Sequence, residues 1–481
     1  MKFLSHRHAD RIRGAAIACA AAGIALSPIA TQAADASTER AIEGILSGLV
    51  RPGQPGCSAG VVQDGQLAHA LALGLADVER AKLLDTHSVF NLASVSKQFT
   101  AFAILLLQQQ GKLSLDDPLV RYVPELALSA KGVTLRHLMH HTGGLRDYIG
   151  LLTMRQRGAA DGATIHEALQ ALARQTRSNA EPGLEYEYSN TGYFLLGVVI
   201  ARVSGQSLAG YSEEQIFDPL GMKNTRIVDR YPDGIAALAR GYAKTDRGFK
   251  IDETGWEQVG DGQVHSDLHD LALWDENFYT GKLGGAALIR DMYRAGVLNS
   301  GKAIDYAAGL RVGPTRGLPS VGHGGSWVGY RSHLLRFPEE RLSTIVLCNR
   351  DDADTAALAT LIAQLFLKDR MASTGTDEED DAETQPVEAS WQPRDLGRYA
   401  GVYFSAEANA HCALYLANGQ LVVERCAEGA VLKPGKPGEF VDQDESFALR
   451  FPDGGTGSGS FVYDRFGLRG LPFERVKEPS E

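Results

Sequence analysis

Residues 94–113 read SVSKQFTAFAILLLQQQGKL. The run from Phe99 to Leu107 is apolar nearly all round, which predicts a helix buried in the core and ended by Gly111. Ser94 and Lys97 stand three residues apart, so such a helix presents both side chains on one face. A serine hydroxyl is a weak nucleophile until a neighbour takes its proton, and a lysine amine can be that neighbour. Ser96 is the rival serine, but it adjoins Lys97 and points elsewhere.

Two later patterns offer partners for Ser94 and Lys97. In Tyr188-Ser189-Asn190, the tyrosine is a candidate general base, and the asparagine can hydrogen-bond both a substrate amide and the lysine. His323-Gly324-Gly325 leads into a predicted strand, where glycines let a substrate approach the backbone and free N–H groups can form an oxyanion hole. Each motif alone is weak, since a loop or strand carrying these residues for packing has the same sequence.

A third serine motif has a plainer explanation. Gly56-Cys57-Ser58-Ala59-Gly60 matches G-x-S-x-G, the nucleophile elbow of many serine hydrolases. That elbow needs a strand before the serine and a helix after it. Here prolines and glycines precede Ser58 and a predicted hairpin follows it, so we interpret Ser58 as a packing residue.

The remaining sequence predicts an α+β protein with a second, all-β part. Two strands are predicted within 57–74 around the turn Asp64-Gly65, two more within 327–350, and a helix over 354–369. Residues 371–388 are rich in acids and nearly free of large apolar side chains, which predicts a solvated linker. Residues 389–481 alternate apolar and polar side chains and contain a hairpin turn at Asn418-Gly419, which favours a compact antiparallel barrel or sandwich.

The N-terminus is typical of a secretory signal peptide. Basic residues precede the short apolar run GAAIACAAAGIAL (14–26), and small residues follow it. We therefore expect residues 1–34 to be removed, a periplasmic or secreted location, and no stable membrane insertion afterwards. A membrane anchor is the alternative. The formal net charge of -11 argues against nucleic acid as a partner.

The three motifs, together with their flanking segments, resemble the penicillin-recognising serine hydrolases, and the class C β-lactamase-like branch fits best. The resemblance extends over roughly residues 45–368, and the segments that carry it are SVFNLASVSKQFTAFAILLL, LDDPLVRYVPEL, VTLRHLMHHTGGL, YEYSNTGYFLLG, FDPLGMKNT and HGGSWVGYRS. It implies a five-stranded antiparallel sheet flanked by helices, with the active site between the sheet and a helical region, over residues 35–370. Residues 389–481 resemble, more loosely, the lipocalin-like β-domains appended to such hydrolases.

The resemblance also implies roles for individual residues. Ser94 is the expected nucleophile, Lys97 its proton partner, and Tyr188 the general base. Asn190 is expected to bind substrate and lysine. His323, Gly325 and Ser326 are expected to line the substrate site, with the Ser94 and Ser326 N–H groups as the oxyanion hole.

One departure bears on the substrate. His323 stands where β-lactamases and D-Ala carboxypeptidases carry a lysine that meets the substrate carboxylate, and this H-x-G variant resembles D-aminopeptidases and some esterases. Arg331 is a candidate replacement cation. We therefore predict an acyl-enzyme hydrolase of amides or esters, acting on D-amino-acid peptides, peptidoglycan fragments or small esters.

Other interpretations remain at this point. A true β-lactamase or D-Ala-D-Ala carboxypeptidase is one, and a non-catalytic binder on the same scaffold is another. No cofactor is expected, nor is a metal, although His137, His140 and His141 lie close together in the sequence, because acidic partners are missing nearby. In the class C-like topology the first and last strands of the sheet are neighbours, so we expect a disulfide Cys57–Cys348. We expect a second disulfide, Cys412–Cys426, across the hairpin at Asn418-Gly419. The sequence leaves the oligomeric state open.

Overall fold

The computed structural model describes residues 36–155, 158–229, 234–235, 237–372, 391, 393, 395–427, 429–452 and 459–476. The predicted signal peptide over residues 1–34 therefore lies outside the described residues. So does most of the predicted linker, of which the structure describes only Met371 and Ala372.

An antiparallel sheet of six strands forms the centre of the larger part, in the order β10-β11-β12-β13-β1-β2. The α+β class is confirmed, but the sheet has one strand more than the five expected. The chain turns back through Arg316 and Gly317, both at positive φ, and so pairs Arg311–Thr315 with the start of the next strand. The six strands are β1 (Cys57–Gln63), β2 (Gln66–Leu73), β10 (Arg311–Thr315), β11 (Leu318–Trp327), β12 (Tyr330–Phe337) and β13 (Leu342–Cys348).

Small sheets surround the central one and anchor the loops of the larger part. They comprise β3 (Leu75–Asp77), β4 (Lys82–Leu83), β5 (Phe90–Asn91), β6 (Arg226–Ile227), β7 (Tyr242–Thr245), β8 (Gly248–Ile251) and β9 (Val264–Ser266). In one of them β9 pairs with both β5 and β6. That pairing brings the segment just before Ser94 against residues 264–266, far along the chain.

The predicted buried helix is present, with one refinement. Its first turn, Ala93–Ser96, is a 3-10 turn that carries Ser94, and the α-helix runs from Lys97 to Gln109. Its side chains from Lys97 to Leu107 are all buried. The helices are α1 (Ala36–Ser47), α2 (Lys97–Gln109), α3 (Leu135–Met139), α4 (Tyr148–Thr153), α5 (Ile165–Ala173), α6 (Asn190–Ser204), α7 (Leu208–Ser212), α8 (Asp218–Leu220), α9 (Leu268–Thr280), α10 (Gly285–Met292) and α11 (Thr355–Leu367).

Helices cover both faces of the sheet. On one face α1 and α11 enclose a small core that includes Ile42, Leu46, Ile362 and the buried Cys57–Cys348 pair. On the other face α2 joins the larger core, so the sheet is sandwiched between two helical layers. Within the described residues no single helix is long and apolar enough to cross a membrane. Among the described helices, one pair, Asn190–Ser204 and Leu208–Leu220, is long and apolar enough when its two helices are counted as one, but the pair is bent by 78°.

The strand register explains both disulfides. Cys57 of β1 lies opposite Cys348 of β13, with Cα atoms 4.1 Å apart, and the two are bonded. Cys412 and Cys426 are bonded across the hairpin that turns at Asn418-Gly419, with Cα atoms 4.9 Å apart. Ser58 is fully buried next to Cys57 in β1, which confirms its interpretation as a packing residue.

The C-terminal part is a closed antiparallel barrel of eight strands, in sequential order. Aromatic side chains fill its interior, with Tyr403 against Phe461 and Phe461 stacked on Phe473 at 5.0 Å. The strands are β14 (Gly401–Ser405), β15 (Ala410–Ala417), β16 (Gln420–Glu424), β17 (Ala430–Pro434), β18 (Glu439–Asp442), β19 (Phe447–Arg450), β20 (Ser460–Arg465) and β21 (Leu468–Val476).

The barrel docks on the helical region through the turn between β20 and β21, the start of β21 and the loop between β14 and β15. The buried Arg146 side chain donates to the carbonyl oxygens of Arg469 and Gly470, and it also pairs with Glu407. The Asp147 N–H donates to the Gly467 carbonyl at 2.7 Å. These contacts fix the start of α4, which begins at the next residue, Tyr148.

We expect the two disulfides to stabilise the fold unequally. Cys57–Cys348 closes 291 residues of chain and Cys412–Cys426 closes 14, and a longer closed loop restricts the unfolded chain more. Replacing Cys57 and Cys348 by Ala should lower the free energy of unfolding by about 5 kcal/mol, and replacing Cys412 and Cys426 by about 3 kcal/mol. Denaturant unfolding of both double variants measures this. Alkylation of any of the four thiols in the native, unreduced protein would contradict the pairing.

Candidate active site

Ser94 sits at a strained turn between a short strand and the buried helix. Ala93, directly before it, has φ 47°, a left-handed conformation that costs free energy in a residue other than glycine. The Ala93 N–H donates to the Asn91 side chain at 2.8 Å, and Asn91 in turn donates to Gln263 at 2.7 Å. Gln263 is also left-handed, with φ 72°. The hydrogen bonds of Asn91 therefore connect the two strained residues, Ala93 and Gln263, and hold the turn that carries Ser94 in place.

Lys97 is fully buried and its ammonium group is held by three oxygen atoms. Nζ donates to Ser94 Oγ at 3.0 Å, to Asn190 Oδ1 at 2.9 Å and to the Asp261 carbonyl at 2.8 Å. An ammonium group has three donors, so all three are used. The structure thus brings together Ser94, Lys97 and Asn190 as the sequence predicted, and adds Asp261, which it did not.

Tyr188 lies against the same ammonium group. The Lys97 Nζ is 4.9 Å from the centre of the Tyr188 ring, which is a cation–π contact. Behind it, the His141 ring lies 4.3 Å from Tyr188 and accepts from the Ser189 N–H through Nδ1. Burial and the nearby Lys97 charge hold the pKa of His141 well below its usual value. The imidazole therefore orients the Tyr188 loop as a neutral group.

The other two histidines of that sequence cluster have structural contacts. His140 Nδ1 lies 3.3 Å from the Tyr306 carbonyl, and His137 completes the capping box at the start of α3. Among the described residues, no group of three or more His, Cys, Asp or Glu side chains is arranged to hold a metal ion.

Strand β11 passes directly beside Ser94. A Cβ atom on Gly325 would lie 2.2 Å from the Leu92 carbonyl and 2.2 Å from Ser332 Oγ, so only glycine permits this approach. Gly309 does the same on the Lys97 side, where a Cβ would lie 2.6 Å from the Gln98 nitrogen. Because position 325 is glycine, Ser326 can lie at the rim of the site. The atoms packed around Gly325 itself belong to Leu92, Ala93 and Ser332.

His323 is buried beside Tyr306, with Nε2 3.0 Å from the Tyr306 hydroxyl and Nδ1 2.6 Å from the Gly324 carbonyl. Burial, reinforced by the Lys97 charge, lowers the pKa of His323 to about 3. The imidazole is therefore neutral at physiological pH, so the position that the lysine occupies in β-lactamases carries no charge here.

Arg331 does not reach the site. Its Nη1 donates to the carbonyl oxygens of Val328 and Tyr330, which close the turn between β11 and β12. Its neighbour Ser332 is buried and donates to the Leu92 carbonyl at 2.6 Å. Arg331 is not among the residues that line the cavity over Ser94. The prediction that Arg331 could supply a substrate cation is not supported by this placement.

A cavity opens over Ser94, and its walls combine aromatic and polar side chains. None of the described residues that line it is Lys, Arg or His. They are Ala93, Ser94, Tyr148, Ile149, Asn190, Trp256, Gln258, Asp261, Gly262, Gln263, Ser326 and Trp327. Sequence reasoning singled out three of these, Ser94, Asn190 and Ser326. It missed the segment 256–263, WEQVGDGQ, whose two glycines around an aspartate were the available signal.

Asp261 is the acidic residue of this cavity wall, and its side chain is almost fully buried. The Tyr148 hydroxyl donates to Asp261 Oδ2 at 2.9 Å. Burial raises the pKa of Asp261 to about 6, although the Lys97 charge and the Tyr148 hydrogen bond act in the opposite direction. A carboxylate that resists ionisation in this way lowers the stability of the fold at neutral pH.

Replacing Asp261 by Asn should therefore stabilise the protein in a pH-dependent way. The pKa of Asp261 is higher in the folded protein than its reference value of 3.8, so its contribution to stability is full below pH 3.8 and is lost as pH rises through 6. Relative to wild type, Asp261→Asn should gain up to about 3 kcal/mol in free energy of unfolding between pH 4 and pH 8. Denaturant unfolding at both pH values measures the difference. The exposed Asp246→Asn is the control, and a pH-independent effect of Asp261→Asn would contradict the burial argument.

Comparison with known proteins identifies a family and relatives for the larger part of the chain. The family model described as Beta-lactamase matches residues 38–367. A penicillin-binding protein of Bacillus subtilis (strain 168) is 33% identical over 306 residues, which cover 60% of this chain and 67% of that protein. A D-aminopeptidase of Brucella anthropi is 31% identical over 300 residues, covering 61% of this chain and 56% of the relative. The chain thus spans little more than half the length of that D-aminopeptidase.

Solved structures share the fold. The octameric penicillin-binding protein homologue from Pyrococcus abyssi superposes with a TM-score of 0.61 at 22% identity, covering 91% of this chain and 99% of that one. The D-amino acid amidase from Ochrobactrum anthropi SV3 superposes with a TM-score of 0.58 at 24% identity, covering 69% of this chain and all of that one, 100%. Because the family model matches well over half of the chain, the protein belongs to the beta-lactamase family and is a serine hydrolase.

Proposed function

We propose that this protein hydrolyses small amides or esters through an acyl-enzyme formed on Ser94. The observation that carries the proposal is the hydrogen bond of 3.0 Å between Lys97 Nζ and Ser94 Oγ, where Ser94 lines an open cavity. A hydroxyl at this distance can pass its proton directly to Nζ when Lys97 is the neutral amine, and Nζ then accepts from Ser94 Oγ instead of donating to it.

Lys97 and Tyr188 act in this proposal as one proton-transfer unit. Ser94 Oγ bonds to the substrate carbonyl carbon and gives its proton to the unit. The C–N or C–O bond then breaks, and the leaving amine or alcohol takes that proton. Water next attacks the acyl-enzyme, protonates Ser94 through the same unit, and releases the acid. The 4.9 Å cation–π contact between Lys97 Nζ and the Tyr188 ring supports this proposal, because it holds the two side chains next to each other beside Ser94.

The backbone N–H groups of Ser94 and Ser326 are proposed to bind the oxyanion. Ser94 lies in the first helical turn and Ser326 lies on β11, and both line the same cavity. Their approach depends on Gly325, where any side chain would push β11 away from Leu92. Backbone donors held so rigidly stabilise developing charge with little reorganisation.

The charge of the site favours neutral or cationic acyl donors over carboxylate-bearing ones. His323 is neutral, Arg331 does not line the cavity, and Lys97 already uses its three donors within the protein. The D-aminopeptidase and D-amino acid amidase relatives support D-amino-acid amides and short D-peptides as the substrate class. We further propose that the protein is exported, which the two disulfides support.

Replacing Ser94 by Ala should abolish turnover, with a loss of at least about 10³-fold in kcat, because no other group can form the acyl-enzyme. A fluorescent fluorophosphonate probe should label wild type and fail to label the variant. Ser96→Ala is the matched control. Ser96 Oγ is buried and accepts the Val264 N–H at 3.0 Å, so that variant should still be labelled. Undiminished labelling of Ser94→Ala would exclude Ser94 as the nucleophile.

A substrate panel tests the charge argument. We expect p-nitrophenyl esters and D-amino-acid amides to be hydrolysed, and a peptide ending in D-Ala-D-Ala to have a kcat/KM at least about tenfold below that of the same peptide with an amidated C-terminus. Nitrocefin, which also carries a carboxylate, should be a poor substrate. A preference for the free carboxylate would instead favour a carboxypeptidase or β-lactamase.

A further inference from the structure

The cavity beside Ser94 combines one carboxylate with three aromatic walls. The Trp256 and Trp327 ring centres lie 5.6 Å apart, and those of Tyr148 and Trp256 lie 6.2 Å apart. All three side chains line the cavity together with Asp261. Aromatic faces attract cations, and a carboxylate provides charged hydrogen-bond acceptors, so this pairing is suited to an organic ammonium group.

The carboxylate has acceptor capacity to spare. Lys97 meets the Asp261 segment through the backbone carbonyl, and the Tyr148 hydroxyl takes one position on Oδ2. A carboxylate offers about four lone-pair positions, so further donors can be accommodated. Tyr148 is itself fixed, since its N–H donates to Thr191 Oγ1 at 2.8 Å and its helix start is held by the barrel.

Asp261 is also close to the reacting atoms. Its carbonyl oxygen and Ser94 Oγ lie 2.8 Å and 3.0 Å from the same atom, Lys97 Nζ. These distances place the backbone of Asp261 next to the reacting atoms, and its side chain lines the same cavity as Ser94, where a group attached next to the scissile carbonyl would lie. No described Lys, Arg or His lines the cavity, and Lys97, whose charge acts on Asp261, directs its three donors to other atoms.

We propose that Asp261, with Tyr148, Trp256 and Trp327, forms an ammonium subsite that selects acyl donors bearing a free amine next to the scissile carbonyl. This inference rests on the proposed acyl-enzyme function and names its substrate class. Amino-acid amides and the free N-terminal residue of a short peptide fit the subsite. N-acylated or des-amino analogues leave the buried carboxylate with the Tyr148 hydroxyl but without the charged donor of the substrate, which costs binding free energy.

The test is protection of Ser94 from a fluorophosphonate probe, which does not require turnover. D-phenylalanine amide is compared with 3-phenylpropanamide, which is the same molecule without the amine. In wild type we expect the amine-bearing amide to protect at concentrations between about 10- and 100-fold lower, the range given by a charge-assisted hydrogen bond. In Asp261→Asn this ratio should fall close to one.

Asp147→Asn is the matched control. It removes a partly buried carboxylate that caps α4 but does not line the cavity, so the ratio should keep its wild-type value. Unfolding measurements on both variants establish that they are folded. An equal protection by the two amides in wild type, a ratio retained in Asp261→Asn, or no protection by either amide would each overturn the subsite. Absence of Ser94 labelling would overturn the proposed function itself, and the subsite with it.

Discussion

The ammonium group of Lys97 is fully buried, and its three donors require three acceptors. They come from the turn that carries Ser94, from the start of α6, and from the segment that contains Asp261. Leaving any one donor unpaired would cost free energy, because a buried charge is tolerated only when it is fully hydrogen-bonded. Three distant parts of the chain are thereby tied to one atom, and the nucleophile, the proposed amide anchor and the cavity wall are placed together.

The backbone supports this arrangement from two sides. Gly325 lets β11 come close to Leu92, and Gly309 lets its own backbone come close to Lys97 and Gln98. A methyl group would not fit at either position. Ala93 and Gln263 are held in left-handed conformations that Asn91 connects by hydrogen bonds. Strain of this kind persists only where surrounding contacts over-determine it, as the hydrogen bonds of Asn91 do on both sides of Ser94.

The barrel contributes to the site indirectly. Its interior is filled with aromatic side chains, so its packing is that of a core. Its β20–β21 turn and the start of β21 contact Arg146 and Asp147, and α4 then carries Tyr148 to the cavity. The barrel is therefore a support for one wall of the cavity, which accounts for a stable position of the Tyr148 hydroxyl on Asp261.

The sequence by itself determined what depends on neighbouring residues. The spacing of Ser94 and Lys97, the apolar helix that follows, and the turns at Asp64-Gly65 and Asn418-Gly419 are local, because helical periodicity and turn conformation are set within a few residues. The family resemblance extended this to Tyr188, Asn190 and the cysteine pairs. Only the tertiary structure showed the sixth strand, the placement of Arg331 outside the cavity lining, and the meeting of Asp261 with Trp256 and Trp327 over Ser94. These features depend on which distant segments of the chain pair and on how the loops pack against them. No local pattern in the sequence encodes either of these.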